Sequence, residues 1–342
     1  MEAIILAGGF GTRLRPLTYS RAKSLLPIMN KPMISYLIDL LPEKVDTVIL
    51  AVNYRKDQIE EYLSDLQLSK DIIVNDEPKP LGTGGAVKFA EDHITDKFFV
   101  LNSDIISSLD LSAMIRFHES MNAAATITLW PVDHVQEFGV AEVSDGDKII
   151  GFVEKPKPED APSNLINAGA YILDPLVLDY IEPGRLVSME KEIFPQIIQD
   201  TGRFYGFRIK DYWMDIGRIQ SYLDVHQFFL SRNNMQNIIG EQCDIKGSIK
   251  RTVCGDQVHI GSDSVVDSCV ILDHATIQEH CHLEDCIIDE NSVIHPRCSL
   301  SRTVVGAHES VEENTRMDNQ IIWTQPIPEG YPKKQIGNPI QT

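Results

Sequence analysis

The residues best suited to chemistry stand near the start of the chain. A short apolar run, residues 4–7, passes directly into GGFGTR, Gly8 to Arg13. Glycines at 8, 9 and 11 allow a tight turn whose N–H groups converge, and Arg13 adds a planar cationic fork, a combination suited to a chain of phosphates. The spacing matches neither a Walker A loop nor the GxGxxG dinucleotide fingerprint, and a Gly-rich turn after a strand is often a turn and no more. Here it lies in a run, residues 3–38, that holds no Asp or Glu but carries Arg13, Arg15, Arg21, Lys23 and Lys31, in a chain with 50 acids. That local exception points to an anion site. Two carboxylates extend the set: Asp104 closes an apolar run and Asp215 follows Trp213 and Met214, so both fall where the carboxyl edge of a sheet is expected. Alone, each Asp reads as a cap or turn former, and the pair Glu154–Lys155 before Pro156 reads as a surface turn.

Those groups need a scaffold, and the first 230 residues supply its pattern. Strands are expected at 4–7, 48–52, 72–74, 98–101 and 124–129, with helical patterns at 33–41, 56–66, 84–92 and 111–121 between them. This β-α alternation predicts an α/β class, a doubly wound, mostly parallel Rossmann-like sheet whose ligands bind beyond the carboxyl ends of its strands. After residue 240 the period changes. Rows of 17 residues align from Cys243: Cys243, Ile260, Ile277 and Ile294 share one column, Ile249, Val266, Leu283 and Leu300 another, and Cys254, Ile271, Ile288 and Val305 a third. Aliphatic spacings of 6, 5 and 6 describe a three-sided coil with one inward residue per side, the hexapeptide-type parallel β-helix, with four coils visible. The expected organisation is a catalytic domain at 1–230, a linker at 231–240, a β-helix at 241–325 and a tail at 326–342 that packs as an extended segment or frays.

Composition bounds the partners. A chain of 342 residues with 43% apolar residues has room for two cores. Its formal charge of −19 argues against a nucleic-acid or anionic-membrane surface. The opening apolar run is too short to span a bilayer and lacks the pattern of a signal peptide, which predicts a cytoplasmic protein. Six Cys then read as reduced. Cys281 and Cys298 share one column and Cys269 and Cys286 another, both otherwise held by Gly, Ser or Thr, so these are slots for small side chains. The six His between 259 and 308 are scattered over several columns and read as solvated corners.

The string LAGGFGTRLRPLT, Leu6 to Thr18, with KSLLP and NKPM behind it, resembles the signature of the sugar-1-phosphate nucleotidyltransferases. The resemblance continues through PLGTGGA (80–86), FVLNSD (99–104), FVEKP (152–156), NAGAYIL (167–173), MEKEIFP (189–195) and WMDIG (213–217). AVNY at 51–54 together with LGTGGA, VLNSD, EKEIFP and WMDIG looks most like the mannose-1-phosphate guanylyltransferases, which also append a left-handed β-helix. The resemblance implies in-line attack of a sugar 1-phosphate on the α-phosphorus of a nucleoside triphosphate, chemistry that needs charge neutralised and reactants aligned more than it needs a nucleophile.

By that resemblance Asp104 and Asp215 would hold Mg²⁺, Arg13 and Lys23 would be catalytic cations on the triphosphate, and Leu6, Ala7, Gly8, Gly9, Gly11, Thr12 and Asn102 would complete the nucleotide site. Gly82, Thr83 and Gly84 would approach the base, a loop of small residues that favours guanine where thymidylyl-specific relatives carry Gln. Lys155 would hold the sugar phosphate, Glu154 and Asn167 the sugar hydroxyls, and Gly139 and Gly169 would permit close approach of backbone to the sugar. One departure stands out: Ala22-Lys23-Ser24 replaces the prolines the family usually has around this lysine, which predicts a looser segment. The competing readings are a uridylyl- or thymidylyltransferase acting on glucose 1-phosphate, a non-catalytic subunit that senses nucleotide sugars, and an acyltransferase built on the β-helix. The flat faces and open end of that β-helix also predict a homo-oligomer.

Overall fold

The opening apolar run becomes the strand Glu2–Leu6 at the centre of a parallel group. In the computed structural model, which describes residues 1–66 and 69–332, it pairs in parallel with Thr47–Val52 on one side and Phe98–Asn102 on the other, and Thr47–Val52 pairs in turn with Asp71–Asp76. These strands read as continuous Val/Ile/Leu runs because helices cover both faces of a parallel sheet. The intervening helices are Lys56–Ser64, Gly82–Phe89 and Leu111–Ser120. The last begins at Asp110, whose carboxylate accepts the Ala113 N–H at 2.8 Å, and turns Met114, Ile115 and His118 inward.

The expected fifth strand forms as Ala125–Pro131, but it does not lie beside Phe98–Asn102. The strand Leu165–Leu173 is inserted between them, antiparallel to both, with Tyr171 opposite Val100 and Ile127. Gly139–Val143 and Ile149–Glu154 form an antiparallel pair beyond it, and Phe204–Arg208 runs parallel to Ala125–Pro131, giving a nine-stranded mixed sheet. Local periodicity marks strands but not a neighbour 40 residues away, so the insertion was not legible. Ile4, Ile49, Val100, Tyr171, Phe194 and Phe204 are fully buried in the core of this unit, where the Phe194 ring packs edge-on against Tyr171 at 5.2 Å.

The chain divides into two units, and the division does not follow sequence order: Met1–Gly9 and Ile34–Met214 form one, while the segment Phe10–Met33 packs with the chain from Asp215 onward. In the second unit the helix Ile219–Arg232 leads through residues 233–237 to the strand Ile238–Ile239, which already belongs to the β-helix. Three parallel sheets stack as a left-handed β-helix, and Ile260, Val266, Ile271, Ile277, Leu283, Ile288, Ile294, Leu300 and Val305 fill its interior in the expected columns.

Two details differ from the 17-residue rows. The first coil is two residues shorter, so Ile245 stands opposite Ile260 in the place expected for Cys243. A fifth coil is present, in which Val311, Met317 and Ile322 keep the 6 and 5 spacing across and just past the otherwise polar VEENTRMDNQ stretch. His274, His280 and His308 occupy corners with positive φ, in keeping with solvated turns. Cys269, Cys281, Cys286 and Cys298 are buried free thiols in the small-residue slots, while Cys254 is a buried free thiol opposite Ile271 in the aliphatic column, its thiol raised by burial to about 12. Of the expected tail, the part up to Pro332 packs on this unit through Tyr331, which is 4% exposed; residues 333–342, with Lys333 and Lys334, lie outside the described residues. Among the described residues no helix is long and apolar enough to cross a membrane.

Candidate active site

In the first unit the paired strands bring the candidate residues to one edge. Leu6 is the register partner of Asn102, so Gly8 and Asp104, each two residues further on, emerge side by side at the carboxyl ends of adjacent parallel strands. Ala7 donates to the Ala51 carbonyl at 2.9 Å, and Gly9 is exposed. Asn102 lies against Gly169, whose N–H donates to Asn167 Oδ1 at 3.1 Å. Asp104 is half-buried.

Gly82, Thr83 and Gly84 form the first turn of the helix Gly82–Phe89 rather than a free loop. Gly84 donates to the Val187 carbonyl at 2.9 Å, and Thr83 Oγ1 donates to Glu190 Oε2 at 2.9 Å while accepting from Met189 N at 2.9 Å. Small residues are therefore already required by the close approach of the 185–189 segment. Glu77 orients the turn from below: Leu81 N donates to its carboxylate at 3.1 Å, and burial raises the pKa of that carboxyl.

Glu190 joins the two expected binding regions. Its carboxylate accepts from Thr83, from Ser188 Oγ at 2.7 Å and from the Tyr171 hydroxyl at 3.2 Å, and that hydroxyl accepts from Asn167 Nδ2 at 2.8 Å. Glu154 stands nearby, its pKa raised by burial and then by the Glu190 charge, with Lys155 Nζ at 3.5 Å opposing the shift. Gly139 sits opposite Glu154 in the antiparallel register, and a Cβ there would lie 2.4 Å from Phe152 Cζ and 2.8 Å from Glu154 Oε2, so this glycine makes room for Glu154 itself. Glu190, Tyr171 and Glu77 were given no role by the sequence; the MEKEIFP motif was the signal for Glu190.

In the second unit the remaining candidates share a short loop. Gly11 has φ of 63°, and a Cβ there would stand 2.7 Å from Thr18 Cγ2 and 3.3 Å from Lys23 Cβ. The single turn Thr12–Leu14 follows, closed by Leu14 N donating to Gly11 O at 2.8 Å, and leaves Thr12 and Arg13 exposed. The Arg13 guanidinium and the Asp215 carboxylate both border Gly217, Nη2 and Oδ1 lying 2.9 and 2.8 Å from the point where a side chain would start.

The segment around Lys23 is not loose. Ala22 and Ser24 are buried, Lys23 nearly so, and Leu25 and Leu26 donate to the carbonyls of Ala22 and Lys23 at 2.9 and 3.1 Å. A hydrogen-bonded turn does the work expected of the prolines. Two of the five bases in the acid-free run are also internal: Arg15 is 4% exposed and donates to the Pro332 carbonyl at 2.8 Å, and Arg21 pairs with Glu290.

Asp289, beside that ion pair, carries a pH dependence. Its carboxylate accepts from Glu290 N at 2.8 Å and from Ser20 Oγ at 3.4 Å, and burial raises its pKa from 3.8 to about 7, against the pull of Arg21 and with a further push from Glu290. A carboxyl raised in the folded state binds more protons folded than unfolded between those values, so it lowers stability as pH rises through this window. Tyr222 also feels the charge, which raises its hydroxyl pKa further above the burial effect. Asp289→Asn is expected to stabilise the protein by roughly 1–2 kcal/mol at pH 8 and by almost nothing near pH 4; denaturant unfolding at the two pH values measures the difference.

In the first unit a glycine turn opens at the carboxyl edge of a parallel sheet beside Asp104, the place where α/β enzymes handle phosphates, and the comparisons agree. The chain belongs to the nucleotidyl transferase family, whose model matches residues 2–232; its enzyme class is nucleotidyltransferase. Residues 233–336 match the GMPPB C-terminal domain. The chain is 35% identical to probable mannose-1-phosphate guanylyltransferase 2 of Oryza sativa subsp. japonica and 35% identical to mannose-1-phosphate guanylyltransferase 1 of Arabidopsis thaliana, in each case over 94% of this chain and 90% of the relative. Among solved structures, HddC from Yersinia pseudotuberculosis complexed with GMP-PN matches with a TM-score of 0.55 and 30% identity, covering 67% of this chain and 99% of that one.

Proposed function

We propose that this nucleotidyltransferase moves a guanylyl group from GTP to mannose 1-phosphate, giving GDP-mannose and pyrophosphate. The observation that carries the choice is the match, across 94% of the chain and through both family domains, to mannose-1-phosphate guanylyltransferases. A phosphate oxygen of the sugar phosphate attacks the α-phosphorus of GTP, and the bond from that phosphorus to the bridging oxygen of pyrophosphate breaks. Two polyanions must meet for this, so the side chains neutralise charge and fix the line of attack.

In this reading Leu6, Ala7, Gly8, Gly9, Gly11 and Thr12 line the triphosphate, Arg13 takes the β- and γ-phosphates and the departing pyrophosphate, and Lys23 takes the α-phosphate. Lys155 takes the sugar phosphate. Glu154 and Asn167 bind sugar hydroxyls, with Gly139 and Gly169 beside them. The helix start at Gly82, Thr83 and Gly84, together with Asn102, faces the nucleoside; because Thr83 Oγ1 is engaged by Glu190, base reading falls to backbone groups.

Asp104 and Asp215 fit a magnesium ion: both offer hard carboxylate oxygens, both are half-buried, and the ion would supply charge stabilisation at the α-phosphate. The test is a substrate panel in magnesium. GTP with mannose 1-phosphate should release pyrophosphate at least about 10-fold faster than UTP or dTTP with glucose 1-phosphate, the discrimination expected from a hydrogen-bonded base site; preference for either of the latter pairs would overturn the reading.

A further inference from the structure

The loop that carries Thr12 and Arg13 is held by residues more than 300 positions away. The Tyr331 hydroxyl lies 2.8 Å from Thr18 Oγ1 and 2.9 Å from the Phe10 carbonyl, and Thr18 Oγ1 lies 3.0 Å from the Gly11 carbonyl. Two hydroxyl protons serve three contacts. Tyr331 donates to Phe10 O and Thr18 to Gly11 O, or one of the two hydroxyls turns its proton to the other. When Thr18 donates to the phenol and the phenol to Phe10 O, Tyr331 ties the two ends of the segment that makes the turn.

The ring adds to the tie. Tyr331 packs edge-on against Phe10 at 5.7 Å and Tyr19 at 4.9 Å, and the Arg15 guanidinium lies over it at 4.9 Å. Trp323 packs on the other ring in the group, Tyr19, at 4.9 Å. A nearly buried tyrosine whose ring and hydroxyl are both engaged by one loop has little freedom of its own. The loop is therefore fixed at residues on either side of the exposed Arg13 in sequence, and the reach of Arg13 toward a phosphate chain depends on where the turn sits. A displacement of about 1 Å at such a group is enough to cost about 10²-fold.

We propose that Tyr331 is a positioning residue for triphosphate binding, acting through Thr18 and the Phe10–Gly11 backbone; this rests on the assignment of Thr12 and Arg13 to the triphosphate made above. The C-terminal segment is thus part of the nucleotide site in effect, although it touches no reacting atom. The role needs the hydroxyl and not only the ring, which separates positioning from simple packing.

The experiment uses the full chain with Tyr331→Phe, Thr18→Val and the double variant. Amide hydrogen exchange across residues 10–18, without substrate, should speed up in Tyr331→Phe. The dissociation constant and KM for GTP with magnesium should rise roughly 10-fold, the scale of two lost hydrogen bonds, with the KM for mannose 1-phosphate within about 2-fold. The double variant should be no worse than the worse single variant, because both remove one network. Unchanged exchange over residues 10–18 overturns the proposal, as does equal loss for both substrates. Faster exchange with unchanged GTP binding also overturns it, and does so by removing the loop from the triphosphate site. If the native chain turns over no guanylyl substrate at all, the functional reading fails, while exchange and direct titration with GTP, UTP and dTTP still decide whether Tyr331 sets triphosphate affinity.

Discussion

Asp215→Asn leaves the fold intact and lowers magnesium-dependent pyrophosphate release by about 10³-fold. The substitution preserves shape and hydrogen-bonding length, so the strand Trp213–Asp215 and the approach of the Arg13 guanidinium to Gly217 need no rearrangement. What changes is one negative charge and one hard oxygen donor. An amide oxygen is a far weaker partner for a divalent cation, and the cost should grow as magnesium is lowered. Two measurements separate this from damage elsewhere: the unfolding midpoint should stay within about 2 °C of the native chain, the shift expected for a surface-scale change, and manganese titration should show weakened metal binding. Near-normal turnover at low magnesium would remove Asp215 from the metal site. Asp104→Asn should behave alike, and the double variant little worse, since residues acting on one ion are not additive.

How much of this was legible varied with the range of the interaction. The parallel strands were readable because residues buried on both faces leave continuous apolar runs, and the β-helix because an interior of three columns imposes a period that no local accident produces. The inserted strand Leu165–Leu173 was not, since its alternation says nothing about which strands flank it. The same limit applied to charge. Arg15 and Arg21 counted toward the positive charge of an acid-free run, yet their partners, Pro332 and Glu290, lie hundreds of residues away.

The packing duty of the glycines was hidden for a related reason. The glycines at 82, 84 and 139 suggested room for substrate, whereas Val187, Phe152 and Glu154 already occupy the space beside them. Motif resemblance supplied what composition could not, including the segment with Glu190, but not that residue's task of joining Thr83 to Tyr171 and Asn167.

Lys155→Ala is expected to lower kcat/KM for the sugar 1-phosphate by about 10²-fold while the KM for GTP moves by less than about 3-fold. The backbone makes the case for a functional lysine. Lys155 has φ of 51° immediately before Pro156, a conformation that a residue with a side chain adopts at some cost and that proline disfavours further, and it is held there by its N–H donating to the Phe138 carbonyl at 2.9 Å. That turn leaves 60% of the lysine side chain exposed, with Nζ 3.5 Å from Glu154 Oε1. With its ammonium this exposed, the lysine adds little to stability through the pair, so a purely structural surface turn would lose almost nothing on truncation. A cation held for a phosphate would lose substrate selectively, and Lys155→Arg should recover part of the loss because charge is kept while the point geometry of the ammonium is not. Removing Lys155 also removes the charge that opposes the raised pKa of Glu154, so the acidic limb of the pH profile for sugar phosphate should move upward in Lys155→Ala and not in Lys155→Arg. A defect confined to GTP, or no defect in either substrate, would assign the phosphate of the acceptor to another group.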